Sequence, residues 1–282
     1  MATSLKSDVT PLGDSFNTHA ATYERRTGGV TLRIIKHIVP LLADHMPEHP
    51  IVLDNACGPG FAAAAIVTAY PNSHVYAADA APGMISILTE VVKENGWDDK
   101  IEMAVMNGMD LQFPDEKFDI SITNFGIFFF PDPNKGAREI YRTLKHGGRA
   151  VVTSWKKMDF IPILHMVQAI IKPGSKPSAP PGMVQWTLKE TLESNLRDGG
   201  FEDVQLHEQE VMWWNKGFHE AAVGLTDNFI FMVGDDWSEE DKGQILPVTE
   251  QILKEQVGGL VVESDGMVGC HMSAWVAMAV KA

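Results

Sequence analysis

The chain has 282 residues, 45% of them hydrophobic, and a formal net charge of −14. That length and apolar content suffice for one large core with a small cap, while the negative balance disfavours non-specific attachment to nucleic acid or an anionic membrane, both of which need clustered Lys and Arg. A small-molecule substrate is the expectation that remains.

Only Cys57 and Cys270 are present, too few for a disulfide scaffold, so a reducing, cytoplasmic compartment is expected. No basic-then-apolar leader opens the sequence, and no apolar run approaches the roughly 20 residues that span a bilayer. Residues Met1 to Asp14 are polar and expected to be loose, whereas Phe16, Ala20 and Tyr23 begin an ordered segment that ends at Gly28-Gly29. Leu32, Ile35, Val39 and Leu42 then recur at helical spacing.

Ile51 to Gly60 reads I-V-L-D-N-A-C-G-P-G: an apolar strand ending in Asp54, a tight turn, then an alanine-rich helix from Phe61 to Tyr70. Glycines let the backbone approach a ligand closely, and the helix N-terminus beyond them offers N–H groups and partial positive charge. Gly58, Gly60 and Ala63 also match the dinucleotide pattern G-x-G-x-x-G/A, so the glycines alone do not choose a cofactor. Asp54, four residues before Gly58, repels a pyrophosphate and suits a ligand ammonium.

His74 to Ala78 reads as a second strand ended by Asp79, at the spacing of about 20 residues from the glycine turn that places an acid on a ribose diol; a helix cap is the rival reading. Pro82 opens a helix with Met84, Leu88, Val91 and Asn95 on one face, stopped by Gly96. Ile101 to Met106 is a third strand, followed by Asn107-Gly108-Met109-Asp110. Phe118 to Asn124 is a fourth, and its continuation Phe125 to Phe130 is aromatic enough to require cover. Asp132-Pro133 starts a helix with Ala137, Ile140, Tyr141 and Leu144 inward, stopped by Gly147-Gly148, and Arg149 to Trp155 is a fifth strand. Four strand-helix alternations and a fifth strand imply an α/β, doubly wound, Rossmann-like sheet with ligands at the carboxyl ends of its strands, where Asp54, Asp79, Gly108 and Asn124 all fall.

The stretch Ile51 to Gly60 resembles motif I of the class I S-adenosylmethionine-dependent methyltransferases, and the order of elements fits that family from about Tyr23 to the C-terminus. Asn55 and Pro59 depart from the commoner Leu-Gly-Cys-Gly-Thr-Gly pattern, which leaves the subfamily open. The resemblance implies S-adenosylmethionine as cofactor, bound by Tyr23, Asp54, Ala56, Gly58, Gly60, Asp79, Ala80, Met84, Asn107, Gly108, Met109 and Asn124. Phe16, Ala20 and Tyr23 match the F-x-x-x-A-x-x-Y segment that lies over the cofactor in methyltransferases of the ubiquinone-biosynthetic type. Core packing is the rival role for Tyr23 and Met84. Residues 1–50 are then an N-terminal helical segment over the cofactor and 51–282 the catalytic domain. The sheet is expected to be mostly parallel with an antiparallel last strand; Val204 to Trp213 and His271 to Val280 form the final pair, after a helix at Thr187 to Asp198.

Between those strands lies an insertion of about 216–269, too long for a hairpin loop, with helices around Phe218 to Val233 and Ser238 to Val257; it reads as a helical cap. Pro173 to Pro181 is a Pro-rich connection. Phe129, Trp155, Phe160, Trp186, Trp214 and Phe229 are candidates for an aromatic acceptor pocket, and core packing is expected to absorb half of such residues. Trp213 and Trp214, adjacent on a strand, face opposite sides. The stretch T-S-W-K-K-M-D-F-I-P-I-L (Thr153 to Leu164), with V-L-D-N-A-C-G, resembles fungal natural-product methyltransferases, the gliotoxin bis-thiomethyltransferase among them, which implies methylation of a thiol on a secondary metabolite. Methyl transfer from a sulfonium needs alignment first and a base only for a poorly ionised acceptor. His165, His219 and His271 are the base candidates, His165 foremost, although a structural histidine is the commoner case. The alternatives are O- or N-methylation of a small aromatic metabolite, a nicotinamide-dependent oxidoreductase, and a non-catalytic cofactor-binding regulator. No metal-ligand cluster stands out, and oligomeric state is not encoded legibly.

Overall fold

In a computed structural model, residues 16, 20–178, 183–233 and 237–282 are described. The segment Met1 to Asp14 and residues 179–181 of the Pro-rich connection lie outside them. Strand β1 (Ile51–Asn55) sits near the middle of an eight-stranded sheet, with Val52 to Asn55 all buried. Both its neighbours are parallel, β2 (His74–Asp79) on one side and β4 (Phe118–Thr123) on the other. A continuous apolar run suits a strand covered on both faces. The path runs β3-β2-β1-β4-β5-β8-β6, with β3 (Ile101–Val105) at one edge and β5 (Leu144–Met158), β6 (Asp203–Lys216) and β8 (Met267–Val280) beyond β4. Strand β8 is antiparallel to both β5 and β6, as expected of the final strand, and the short β7 (Val262–Ser264) pairs with it. The chain reverses direction across the sheet between β1 and β4, so the ligand crevice lies over their carboxyl ends.

The described α-helices are α1 (Tyr23–Thr27), α2 (Val30–Leu41), α3 (Phe61–Ala69), α4 (Pro82–Asn95), α5 (Pro133–Thr143), α6 (Phe160–Ile171), α7 (Lys189–Asp198), α8 (Gly217–Val233) and α9 (Glu239–Glu255). Helix α5 begins as its sequence requires: the Asp132 side chain accepts from the Lys135 N–H at 3.0 Å, and Pro133 takes the first turn, where no N–H is needed. In the stretch between β6 and β8, α8 and α9 pack on each other and α9 also meets α6. No described helix is long and apolar enough to cross a membrane.

Four sequence expectations change. Residues 106–117, between β3 and β4, contain no described helix, so that alternation is missing; the segment has turn residues and no 3.6-residue apolar repeat. Helix α4 buries Met84, Leu88 and Val92, leaving Val91 half-buried and Asn95 exposed. Leu144 belongs to β5 rather than to α5, and Gly147-Gly148 fall in the register shift between the Phe118–Leu144 and Ile120–Arg149 pairs. Helix α6 carries no sequence signal of its own because F-I-P-I-L-H-M-V-Q-A-I-I is apolar on nearly every face, and Pro162 sits in the first turn, where proline is tolerated.

The N-terminal segment is fastened to α8 and β6. Trp213 is fully buried and its Nε1–H donates to the Arg26 carbonyl at 3.2 Å, a carbonyl that also accepts from Asn228 Nδ2 at 2.7 Å. Gly28 permits this approach: it has φ +54°, and a Cβ there would lie 2.5 Å from the indole ring of Trp213.

Candidate active site

The turn after β1 places Ala56, Gly58 and Gly60 at positive φ. Two carboxylates hold this turn. Asp54 accepts from the Ala63 N–H through Oδ2 at 2.9 Å, while its Oδ1 is buried without a partner among the described residues. Asp79, at the end of β2, accepts from the Gly58 N–H through Oδ2 and from the Ala81 N–H through Oδ1, each at 2.8 Å. Burial raises the pKa of Asp79, opposed by those two N–H groups. Each of its oxygens keeps a further lone pair, and the carboxylate lines the cavity above.

That first cavity is an open cleft of about 790 Å³, its solvent mouth included, at the carboxyl ends of β1, β2 and β4. Ten of the twelve residues expected at the cofactor line it: Tyr23, Ala56, Gly58, Asp79, Ala80, Met84, Asn107, Gly108, Met109 and Asn124. A Cβ on Gly58 would meet nothing within 4 Å, so bare backbone faces the space there. The Asn107 side chain accepts from the Met109 N–H at 3.0 Å and fixes the turn after β3. Asn124 is held by Thr153, whose hydroxyl donates to its Oδ1 at 3.0 Å, and its own amide donates to the Thr31 carbonyl at 3.2 Å. The other two expected residues lie behind this surface. A Cβ on Gly60 would stand 2.2 Å from Leu88 Cδ1, so Gly60 makes room for Leu88 of α4 against the turn. Asp54 is 1% exposed and tied to the N-terminus of α3, which gives it a supporting place rather than direct contact. Met106, Phe125, Gly126, Phe130 and Pro131 also line the cavity; the aromatic run after β4 was the sequence signal for Phe125, Gly126 and Phe130.

A second cavity of about 670 Å³ adjoins the first, and the two share Phe16, Tyr23, Phe125 and Phe129. Its further lining includes Arg26, Trp155, Phe160, Trp213, Phe231 and several methionines. Trp155 stacks on Phe125 with ring centroids 3.8 Å apart and planes 19° from parallel. Of the expected acceptor residues, Phe129, Trp155 and Phe160 are therefore here, and three are elsewhere. Phe229 is fully buried against Trp237, edge to face at 5.0 Å. Trp186 is 3% exposed and its ring lies 6.3 Å from that of Phe128, outside the lining. Trp214 points away because strand alternation gives the inward place to Trp213. The histidines are also elsewhere: His165 Nε2 bonds to the Ser178 carbonyl at 2.9 Å, His219 pairs with Glu250 at 3.1 Å, and His271 is exposed on β8.

Burial pushes the Asp54 carboxyl up to about 7, with nearby Asp79 adding to the rise. Below its ordinary value near 3.8 the group is protonated in both folded and unfolded chains. Between that value and about 7 the folded chain holds a proton that the unfolded chain has released, so stability falls as pH rises through this window and then levels. Asp54→Asn is expected to remove this loss: the melting temperature of the variant minus that of the wild type grows from pH 4 to pH 7 and is constant above. Thermal melts across that range check it, and a difference independent of pH contradicts it.

Residues 53–152 match the family described as Methyltransferase domain. The Demethylmenaquinone methyltransferase of Clavibacter sepedonicus is 29% identical over 168 residues, 55% of this chain and 66% of that relative's length. Methyltransferase ucsB of Acremonium sp is 26% identical over 214 residues, 71% of this chain and 73% of the relative. Among solved structures, Phosphoethanolamine N-methyltransferase 2 of Haemonchus contortus, in complex with S-adenosyl-L-methionine, superposes with a TM-score of 0.56 at 18% identity, covering 97% of this chain and 60% of that one. The architecture is the Rossmann-like fold of class I methyltransferases. Within it, the methyltransferase-domain match spans residues 53–152, from β1 into β5.

Proposed function

We propose that the protein transfers a methyl group from S-adenosylmethionine, bound in the first cavity, to a small, largely apolar metabolite in the second, and that the accepting atom is a thiol sulfur. The adjoining cavities with one shared aromatic boundary carry this reading. At the polar end, Asp79 offers two acceptor oxygens for the ribose hydroxyls, the Asn107–Met109 turn suits the adenine, and the open backbone at Gly58 allows close approach. Asn124 and Tyr23 line the same cavity and are assigned to the methionine moiety. Burial raises the pKa of Tyr23, so it serves as a neutral hydroxyl rather than a base.

The donor supplies an electrophilic methyl on a positively charged sulfur. Phe16, Tyr23, Phe125 and Phe129 border the crossing point, exclude water from it and align donor with acceptor. A thiol acceptor is supported by the likeness of Thr153 to Leu164 to thiol-methylating enzymes, by the methionine-rich walls, and by the distance of the three histidines from the cavity. A thiol of cysteine-like acidity, with a pKa about 8.5, is already part thiolate near neutrality.

Turnover of phenylmethanethiol is accordingly expected to rise with pH and level as the thiol ionises, and phenylmethanol is expected to be a far poorer acceptor. His165→Ala, His219→Ala and His271→Ala should each keep most of the activity. If the hydroxyl is preferred, or if one folded histidine variant loses the roughly 100-fold or more that removal of a general base costs, the thiol reading fails while the methyltransferase domain stands.

A further inference from the structure

Arg26 lines the second cavity and is 5% exposed, yet its Nη1 has no hydrogen-bond partner among the described residues. Its guanidinium carbon lies 4.3 Å from the ring centroid of Phe231, 5.6 Å from that of Phe16 and 5.8 Å from that of Tyr23. Such cation–π contacts use the charge but occupy no N–H donor in a bond to oxygen, so Nη1 remains suited to an oxyanion. The nearby Asp227 does not take them: it is bound to Arg25, with Nη2 and Oδ2 2.7 Å apart. Arg26 carries the only charge among the described side chains that line this cavity.

Burial lowers the pKa of Arg26, and Tyr23 and Asp227 oppose the shift. A guanidinium nonetheless stays protonated in proteins. The fold therefore holds a desolvated positive charge with no ion-pair partner among the described residues, which destabilises it unless something else supplies the counter-ion. A binding site keeps such a charge because its ligand brings the partner.

Resting on the acceptor-cavity reading above, we propose that the acceptor carries a carboxylate and that Arg26 binds it, selecting anionic over neutral acceptors. Arg26 lines the second cavity and not the first, so its guanidinium meets the boundary rings of Phe16 and Tyr23 from the second cavity alone. The carboxylate is thus an anchor, separate from the atom that receives the methyl. Two oxygens in one plane match the guanidinium fork, whereas the amide of the same molecule would oppose an N–H₂ group to it.

The test is calorimetric titration, with and without saturating S-adenosylhomocysteine, of phenylacetate against phenylacetamide, indole-3-acetate against indole-3-acetamide, and 2-mercaptobenzoate against 2-mercaptobenzamide. At least one acid is expected to bind tenfold or more tightly than its amide, and Arg26→Gln to abolish that ratio while the affinity for S-adenosylhomocysteine is unchanged. Without ligand, Arg26→Met is expected to melt no lower than the wild type, since it removes an unpaired buried charge and keeps an apolar side chain against the rings. Acids that bind no better than their amides, or do not bind at all, overturn the proposal. So does an acid preference that persists in Arg26→Gln, or an Arg26→Met variant that melts well below the wild type, which would make Arg26 a structural bolt. Failure of S-adenosylhomocysteine to bind removes the donor assignment instead, and the acid-to-amide ratio is still read on the protein alone.

Discussion

Asp79→Ala is expected to lower the affinity for S-adenosylmethionine by about 1.5–3 kcal/mol, roughly 10- to 150-fold, the scale for losing charge-assisted hydrogen bonds. The carboxylate has two tasks. It accepts from Gly58 and Ala81 and so joins the glycine turn to the end of β2, and it faces the first cavity with lone pairs to spare. Alanine removes both, so the melting temperature should fall as well. Asp79→Asn separates the tasks, because its single carbonyl oxygen keeps part of the acceptor set; its loss of affinity should be intermediate. Calorimetry well below the melting temperature gives the numbers. Unchanged donor affinity in folded Asp79→Ala would end the ribose assignment.

The second large effect divides two aromatic residues that look alike in the sequence. Phe229 is fully buried and packed on Trp237, so Phe229→Ala should cost about 3–5 kcal/mol of stability and leave the donor affinity of the folded protein near that of the wild type. For a chain of this size each kcal/mol moves the melting temperature by about 2–4 °C. Trp155 stacks on Phe125 at the wall of the second cavity. Trp155→Ala should therefore reduce kcat/KM for the acceptor more than tenfold, with a smaller change in donor affinity. Thermal melts and acceptor kinetics on both variants give the comparison. Loss of acceptor turnover in Phe229→Ala without a lowered melting temperature would reverse the two roles.

These two residues show where the sequence is legible and where it stops. The glycine turn, Asp79 and the Asn107–Met109 turn could be read directly, because each is tied to the end of a strand whose apolar run is unmistakable. Local backbone geometry fixes their place. The aromatic residues of the insertion have no such tie. Whether Phe229 faces a cavity or the core depends on its edge-to-face contact with Trp237, eight residues on and past the end of α8, where helical periodicity no longer says which rings meet. Alternation at Trp213-Trp214 says that one indole points inward but not which, and the hydrogen bond from Trp213 to Arg26 decides it. Arg26 itself gave no signal. It stands beside Arg25 in a five-residue helix, and a basic pair there reads as a solvated face until α8 and the rings of Phe16, Tyr23 and Phe231 surround one member. Asp54 illustrates the opposite error: its place in the motif was plain, but its bond to Ala63 turns it beneath the loop, away from the ligand space.

The central claim is that a methyl group crosses from the first cavity to a small molecule in the second. Incubation of the protein with S-adenosylmethionine carrying a trideuterated methyl group and an extract of small metabolites, followed by mass spectrometry, tests it most directly. The account predicts a small product that gains one trideuterated methyl in equal amount with S-adenosylhomocysteine, and loss of both in Asp79→Ala at limiting donor. Protein that binds the donor yet forms neither product, or that labels only macromolecules, would contradict it.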